Sequence, residues 1–179
     1  MKIPVFFSYP KPFTKKQEEF VARIREYLAK RGFEARTLGV TDYDMEEPLV
    51  AIRRMMLESN GVLTIAFRRS FIEKGRSKPN SNLSQESTDL SNNWITSPWA
   101  HIEPAMAFQI GIPVLILREK GVVADGILEK GILGTYLPEF DLDSKESYLD
   151  SDEWNQIIGI WEGYVRKVRE TKGKPPKLY

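Results

Sequence analysis

The chain has 179 residues, 41% of them apolar, and 26 Lys and Arg against 25 Asp and Glu give a formal net charge of +1. That length and apolar fraction suit one globular domain, residues 1–179, and the balanced charge argues against a dedicated nucleic-acid binder. With no cysteine and a single histidine, His101, disulfides, thiolate catalysis and cysteine-ligated zinc are excluded, and serine–histidine chemistry has little to build on.

Residues 3–9 (IPVFFSY) form a compact apolar run that stops at Pro10 and Pro12, the pattern of a buried parallel strand. The run is too short for a signal peptide or a membrane span, and no other run is long enough to cross a bilayer. The expectation is a cytoplasmic protein with no membrane partner and no nucleic-acid partner. Thr14 with Gln17 makes a capping-box pattern, and Phe20, Val21, Ile24, Tyr27 and Leu28 then recur at helical spacing until Gly32. Residues 33–38 read as a shorter strand near an edge. An acidic loop follows at 39–47, and Pro48 opens a helix whose apolar stripe is Leu49, Ile52, Met55 and Met56. Residues 61–67 (GVLTIAF) are β-branched, apolar and uncharged, and predict a buried strand.

Residues 68–97 show little periodicity and are rich in Ser and Asn. They are expected to be a long polar loop, a lid or mobile insertion. A short helix around Glu103 follows, then a buried strand at 112–117. Residues 119–136 hold four glycines and a short helix near 125–130, and 137–142 read as the last strand. Asp150 with Glu153 is expected to cap a final helix lined by Trp154, Ile157, Ile158, Trp161, Tyr164, Val165 and Val168. The tail at 172–179 is expected to be loose.

The alternation of strands and helices predicts an α/β protein. It is a flavodoxin-like three-layer sandwich, with a mainly parallel sheet of about five strands and helices on both faces. Ligands bind such sheets at the carboxyl ends of the strands. The loops expected there are 8–13, 39–47, 68–97 and 118–127. Ser8, Tyr9 and Pro10 end the first strand at that edge.

Three stretches in order resemble a Toll/interleukin-1 receptor (TIR) domain. VFFSY at 5–9 resembles the family's first-strand box. GFEARTLGVTDYDMEEPLVAIRRMMLESNGVLTIAF at 32–67 resembles its second box. SPWAHIEPAMAFQIGIPVLIL at 97–117 resembles its serine–tryptophan–x–x–x–glutamate helix and the strand beyond. The chain departs from the family where Ala100 stands for a cysteine, where Pro104 follows the glutamate, and in the length of the 68–97 segment. Enzymatic TIR domains break the nicotinamide–ribose bond of NAD, and bacterial ones often serve antiphage defence, some by releasing a cyclised ADP-ribose signal. The resemblance therefore implies an NAD-cleaving enzyme, a glycohydrolase or ADP-ribose cyclase, with Glu103 as its catalytic residue and Trp99 beside it. NAD enters as substrate, and no cofactor or metal is implied. Self-association or a partner defence protein is expected. The related nucleoside 2-deoxyribosyltransferases share the architecture and also use a glutamate on an equivalent helix. A catalytically silent TIR-like assembly module is the remaining alternative.

The chemistry fits a lone carboxylate. Nicotinamide leaves NAD as a neutral ring, so the bond needs no strong general acid, and a fixed carboxylate stabilises the positive charge growing on the ribose. In a deoxyribosyltransferase the same group is the nucleophile. A first-turn position would keep Glu103 ionised through the helix dipole, and its plain alternative role is a helix-start charge facing solvent. Ser8 contacts ribose or phosphate, or closes a turn. Asp42, within the cluster Asp42, Asp44, Glu46 and Glu47, orients ribose hydroxyls or is a solvated loop charge. Arg68, with Arg69, binds pyrophosphate or keeps the loop soluble. Trp99 stacks on a ring of the substrate or fills the core.

Overall fold

A computed structural model describes residues 2–132 and 137–171. Its centre is a five-stranded, wholly parallel sheet in the order β2-β1-β3-β8-β9. These strands are β1 (Ile3–Ser8), β2 (Phe33–Arg36), β3 (Val62–Ala66), β8 (Val114–Glu119) and β9 (Glu139–Phe140). The helices are α1 (Lys15–Lys30), α2 (Pro48–Glu58), α3 (Trp99–Gln109) and α4 (Asp152–Glu170). The α/β three-layer fold expected from the sequence is the one observed.

Each layer follows from side-chain period. In β1, Val5 and Phe7 join the cluster of Phe20, Ile24 and Leu28 from α1 and Trp154, Ile158, Trp161 and Val165 from α4. Phe6 points the other way and packs with Ile52, Met55 and Met56 of α2 and Ala107 of α3. Alternation along one strand thus fills two cores. A third cluster, with Ala66, Ala100, Ile116 and Val122, seats the start of α3 on β3 and β8. Each large apolar side chain buried this way contributes on the order of 2 kcal/mol.

Local chemistry sets the helix ends. Thr14 Oγ1 accepts from Gln17 N at 3.2 Å. The Gln17 side chain accepts from Phe13 N at 3.1 Å, one residue before the donor a capping box would use. Gly32, at φ +85°, carries the chain out of α1 through a conformation that costs other residues energy. The cap of α4 is Ser151, not Asp150: its hydroxyl accepts from Trp154 N at 3.1 Å. Asp150 instead meets Arg23 at 2.7 Å.

The segment 68–97 differs from the expected loop. It is an arm of two short antiparallel ladders. Here β4 (Ser70–Ile72) pairs with β7 (Asn93–Ile95), and β5 (Arg76–Ser77) pairs with β6 (Thr88–Asp89). Strands of two or three residues are too short to show alternation. The short helix expected near 125–130 is one 3-10 turn, Gly126–Leu128, and the last strand is only Glu139–Phe140. The expectation for residues 133–136 and for the tail at 172–179 lies outside the described residues. No helix among the described residues is long and apolar enough to cross a membrane.

Candidate active site

Strand alternation also decides what meets α3. Ser8 is the last residue of β1 and shares the side of Phe6, facing α2 and α3. Across the sheet it is paired with Thr64 of β3. Helix α3 begins at Trp99, and Ala100 N bonds Ser97 O at 3.0 Å. Pro104 lies inside the helix and cannot donate to the carbonyl four residues back. Glu103 falls in the second turn and points inward.

There the two ends meet. Ser8 Oγ donates a hydrogen bond to Glu103 Oε2. Glu103 is 9% exposed, and no cation pairs with it among the described residues. Burial therefore pushes its carboxyl up, from 4.5 to about 7, against the opposing effect of the Ser8 bond. The helix dipole does not keep this carboxyl firmly ionised, because loss of water outweighs a partial charge that fades after the first turn. Two further hydroxyls lie on adjoining elements: Thr64 Oγ1, on the strand residue paired with Ser8, and Thr96 Oγ1, three residues ahead of α3. Both are buried without a hydrogen-bond partner among the described residues.

The other sequence candidates are distributed as follows. Trp99 is 40% exposed, so its ring is not core. It lies one turn before Glu103, at the i, i+4 spacing of neighbours on one helix face. Pro10 is half-buried in the loop after β1. Tyr9 faces the α1 side, where its ring packs on Phe7 at 4.9 Å and its hydroxyl accepts from Arg25 at 3.1 Å. Asp42 is bound by Arg36 at 2.6 Å and by Thr41 at 2.7 Å. Burial works to raise its carboxyl, but the Arg36 and Thr41 bonds win and hold it below the ordinary value. Asp42 is a fastener of its own loop. His101 is half-buried beside the Gly126 turn. Among the described residues no cluster of three or more metal-ligating side chains occurs.

Arg68 belongs to a second constellation at the same edge. Its Nε donates to Lys120 O at 2.6 Å, and its guanidinium lies 3.5 Å from Asp143, 3.8 Å from Glu119 and 5.8 Å over the Trp94 ring. Glu119 ends β8 and is 4% exposed. Its Oε2 accepts from Gln17 Nε2 at 3.1 Å and from Arg68 N at 2.8 Å. Burial raises its carboxyl, while those two bonds hold it back. Sequence reading gave no site role to Glu119, Trp94 or Thr64, and read Gln17 only as part of a capping box. The signals were an acidic residue two positions beyond the apolar run VLIL and a threonine inside the uncharged run VLTIA.

The fold is thus a flavodoxin-like parallel α/β sandwich with a buried serine–glutamate pair at the carboxyl edge of its sheet. No protein-family model and no curated protein matches the chain. Among solved structures, it is similar to a CMP N-glycosidase of Clostridium botulinum at 14% identity and a TM-score of 0.45, covering 88% of this chain and 98% of that one. It is also similar to the TIR domains of the activated Roq1 resistosome recognising the pathogen effector XopQ, at 14% identity and a TM-score of 0.42, covering 93% and 83%. Both similarities are too distant to bear on substrate or partner.

Proposed function

We propose that the chain breaks the N-glycosidic bond between nicotinamide and ribose in NAD, with Glu103 as the catalytic residue. The observation that carries this reading is the buried Glu103 carboxyl, hydrogen-bonded by Ser8 at the strand edge where such sheets bind ligands. The TIR resemblance of the surrounding segments supports it. In the reaction the C1′–N bond breaks with its electron pair going to nicotinamide, which leaves neutral, and the ribose becomes an oxocarbenium-like cation. The ionised Glu103 stabilises that cation at close range in a site with little water. Water then attacks C1′ and gives up a proton to the Glu103 carboxylate, leaving linear ADP-ribose, or a nucleophile of the substrate itself closes a ring. Ser8 fixes the carboxylate. The unpartnered hydroxyls of Thr64 and Thr96 are free to bind ribose hydroxyls, which explains a burial that otherwise costs about 1–3 kcal/mol each. The exposed Trp99 ring stacks on the leaving base. Bacterial antiphage defence, with the chain active as a self-assembled or partner-bound form in the cytoplasm, is the biological setting this reading implies.

The test incubates wild type and Glu103→Ala with NAD at high protein concentration and separates products by chromatography with mass detection. Nicotinamide release by wild type alone is the expected result, and the second product distinguishes hydrolysis from cyclisation. No release from assembled protein would overturn the NAD reading. Base exchange on a deoxynucleoside without NAD loss would then assign Glu103 the nucleophile's role of a deoxyribosyltransferase.

A further inference from the structure

A cleft of about 380 Å³ opens at the carboxyl end of β8, lined by Phe13, Lys16, Gln17, Arg68, Trp94 and Glu119 among others. Its position in the fold is decided by Trp94. That residue packs on the cluster containing Ala100, which lies one turn before Glu103 on α3. Glu119 ends β8 and Ser8 ends β1, with β3 between them, so the two sites share the carboxyl edge of the sheet, Glu119 turned to the α1 face and Ser8 to the α3 face.

The cleft's walls are aromatic and its floor is polar. Phe13 is 59% exposed, so its ring is open to a ligand. It faces Trp94 with centroids 6.4 Å apart and planes inclined by 30°. Trp94 also packs on Phe71 at 5.0 Å, with the Arg68 guanidinium 5.8 Å from its ring centre. The floor is Glu119. Its Oε2 has two donors, but the nearest neighbour recorded for Oε1 among the described residues is Arg68 Nε at 3.8 Å, beyond hydrogen-bond distance. Glu119 lines the cleft, and its Oε1 is left open to a donor from a ligand there.

We propose that this cleft seats an amino-substituted nucleobase, packed against the exposed Phe13 ring beside Trp94 and donating its exocyclic amine to Glu119 Oε1. Resting on the NAD reading above, the occupant is the adenine at the end of the dinucleotide away from the bond that breaks. Lys16 and Arg68 stand at the mouth. They are already paired with Asp143, at 2.7 Å and 3.5 Å, so they add little net charge there, and recognition rests on the base.

The experiment measures binding without turnover. AMP and IMP are titrated into the full chain, wild type and Phe13→Ala, with tryptophan fluorescence and calorimetry as readouts. IMP carries an oxygen where AMP carries the amine. Expected are saturable AMP binding, IMP weaker by about tenfold or more because Glu119 loses its donor, and AMP binding weakened about tenfold by Phe13→Ala from lost stacking. Because Phe13 is exposed, this variant keeps the fold, and its melting temperature checks that. Equal affinity for AMP and IMP, AMP binding unchanged in Phe13→Ala, or no AMP binding would each overturn the proposal. Nicotinamide release is scored separately. NAD cleavage that AMP does not inhibit removes the cleft's role and leaves the cleavage reading standing. AMP bound as expected with no NAD cleavage does the reverse.

Discussion

The properties of Glu103 come from where two elements end. A carboxyl on α3 reaches water with difficulty, and one hydroxyl from β1 holds it. Only its ionised form stabilises a cation, so activity is expected to rise with pH through about 7, the value to which burial moves the group. Ser8→Ala removes the one interaction among the described residues that opposes burial. The variant's activity should fall on the order of tenfold at neutral pH, since a hydrogen bond to a charged group is worth about 1.5–3 kcal/mol. Its rate should also climb at a higher pH than wild type's. A loss of activity with the midpoint of the pH–rate profile unmoved would show that Ser8 does not act through the carboxyl. Glu103 and Ser8 were legible in the sequence because a glutamate near a helix start and a polar residue ending an apolar strand are local patterns. Their contact was not legible, because it joins residues far apart in the chain and depends on which way β1's last side chain points. Arg68 and Asp42 could be read only as charges. That each is already paired, with Asp143 and Arg36, is a matter of tertiary placement.

The elements divide into those that carry the core and those that decorate it. Just ahead of β3, Gly61 lies against helix α4, where an added Cβ would lie 2.5 Å from Val165 Cγ2 and 3.3 Å from Pro113 O. Gly61→Ala is therefore expected to destabilise the protein by about 1–3 kcal/mol through overpacking, read as a lower urea midpoint at unchanged slope. The arm is the opposite case. None of its residues 70–91 enters the core clusters. Gly75 O and Leu90 N are already bonded at 2.9 Å. Replacing residues 76–89 by an Asn-Gly turn should leave the melting temperature within a few degrees of wild type. A collapse of stability would show that the arm's tip holds the sheet together. The same contrast explains what sequence reading could recover. The buried strands and α4 announce themselves by uncharged runs and by an apolar stripe at helical spacing. The arm is built by turn residues at positive φ, Lys78, Asn80, Ser84 and Asn92, of which only asparagine favours that conformation. Its ladders of Arg76–Ser77 with Thr88–Asp89 carry no apolar face to reveal them.

At the scale of the whole molecule, two buried carboxyls on one edge of the sheet should shape the dependence of stability on pH. Both Glu103 and Glu119 have their carboxyls raised by burial. Below the unfolded value each is protonated in both states and costs nothing extra. Between that value and the folded one, the unfolded chain has released a proton that the folded chain keeps, so raising the pH disfavours folding. For Glu103 the shift from 4.5 to about 7, at about 1.4 kcal/mol per unit, corresponds to about 3 kcal/mol lost by the time the pH passes the folded value. Asp42 runs the other way. Arg36 and Thr41 outweigh burial and hold it ionised, so its contribution is present above its ordinary value and disappears as the pH falls below about 4. The two limbs together predict maximal stability near pH 5, a lower acid limit set by carboxylates such as Asp42, and a decline toward pH 8. Urea unfolding at pH 5 and pH 8 measures the decline, and Glu103→Gln identifies its source. The uncharged amide keeps the shape of the site but does not titrate, so this variant should lose most of the difference between the two pH values. It should be more stable than wild type at pH 8 while its activity falls at least a hundredfold. A variant that keeps the full decline would show that Glu103 reaches water in the folded chain more freely than its burial allows, and would place the ionisable group elsewhere at the edge, with Glu119→Gln as the next substitution to unfold.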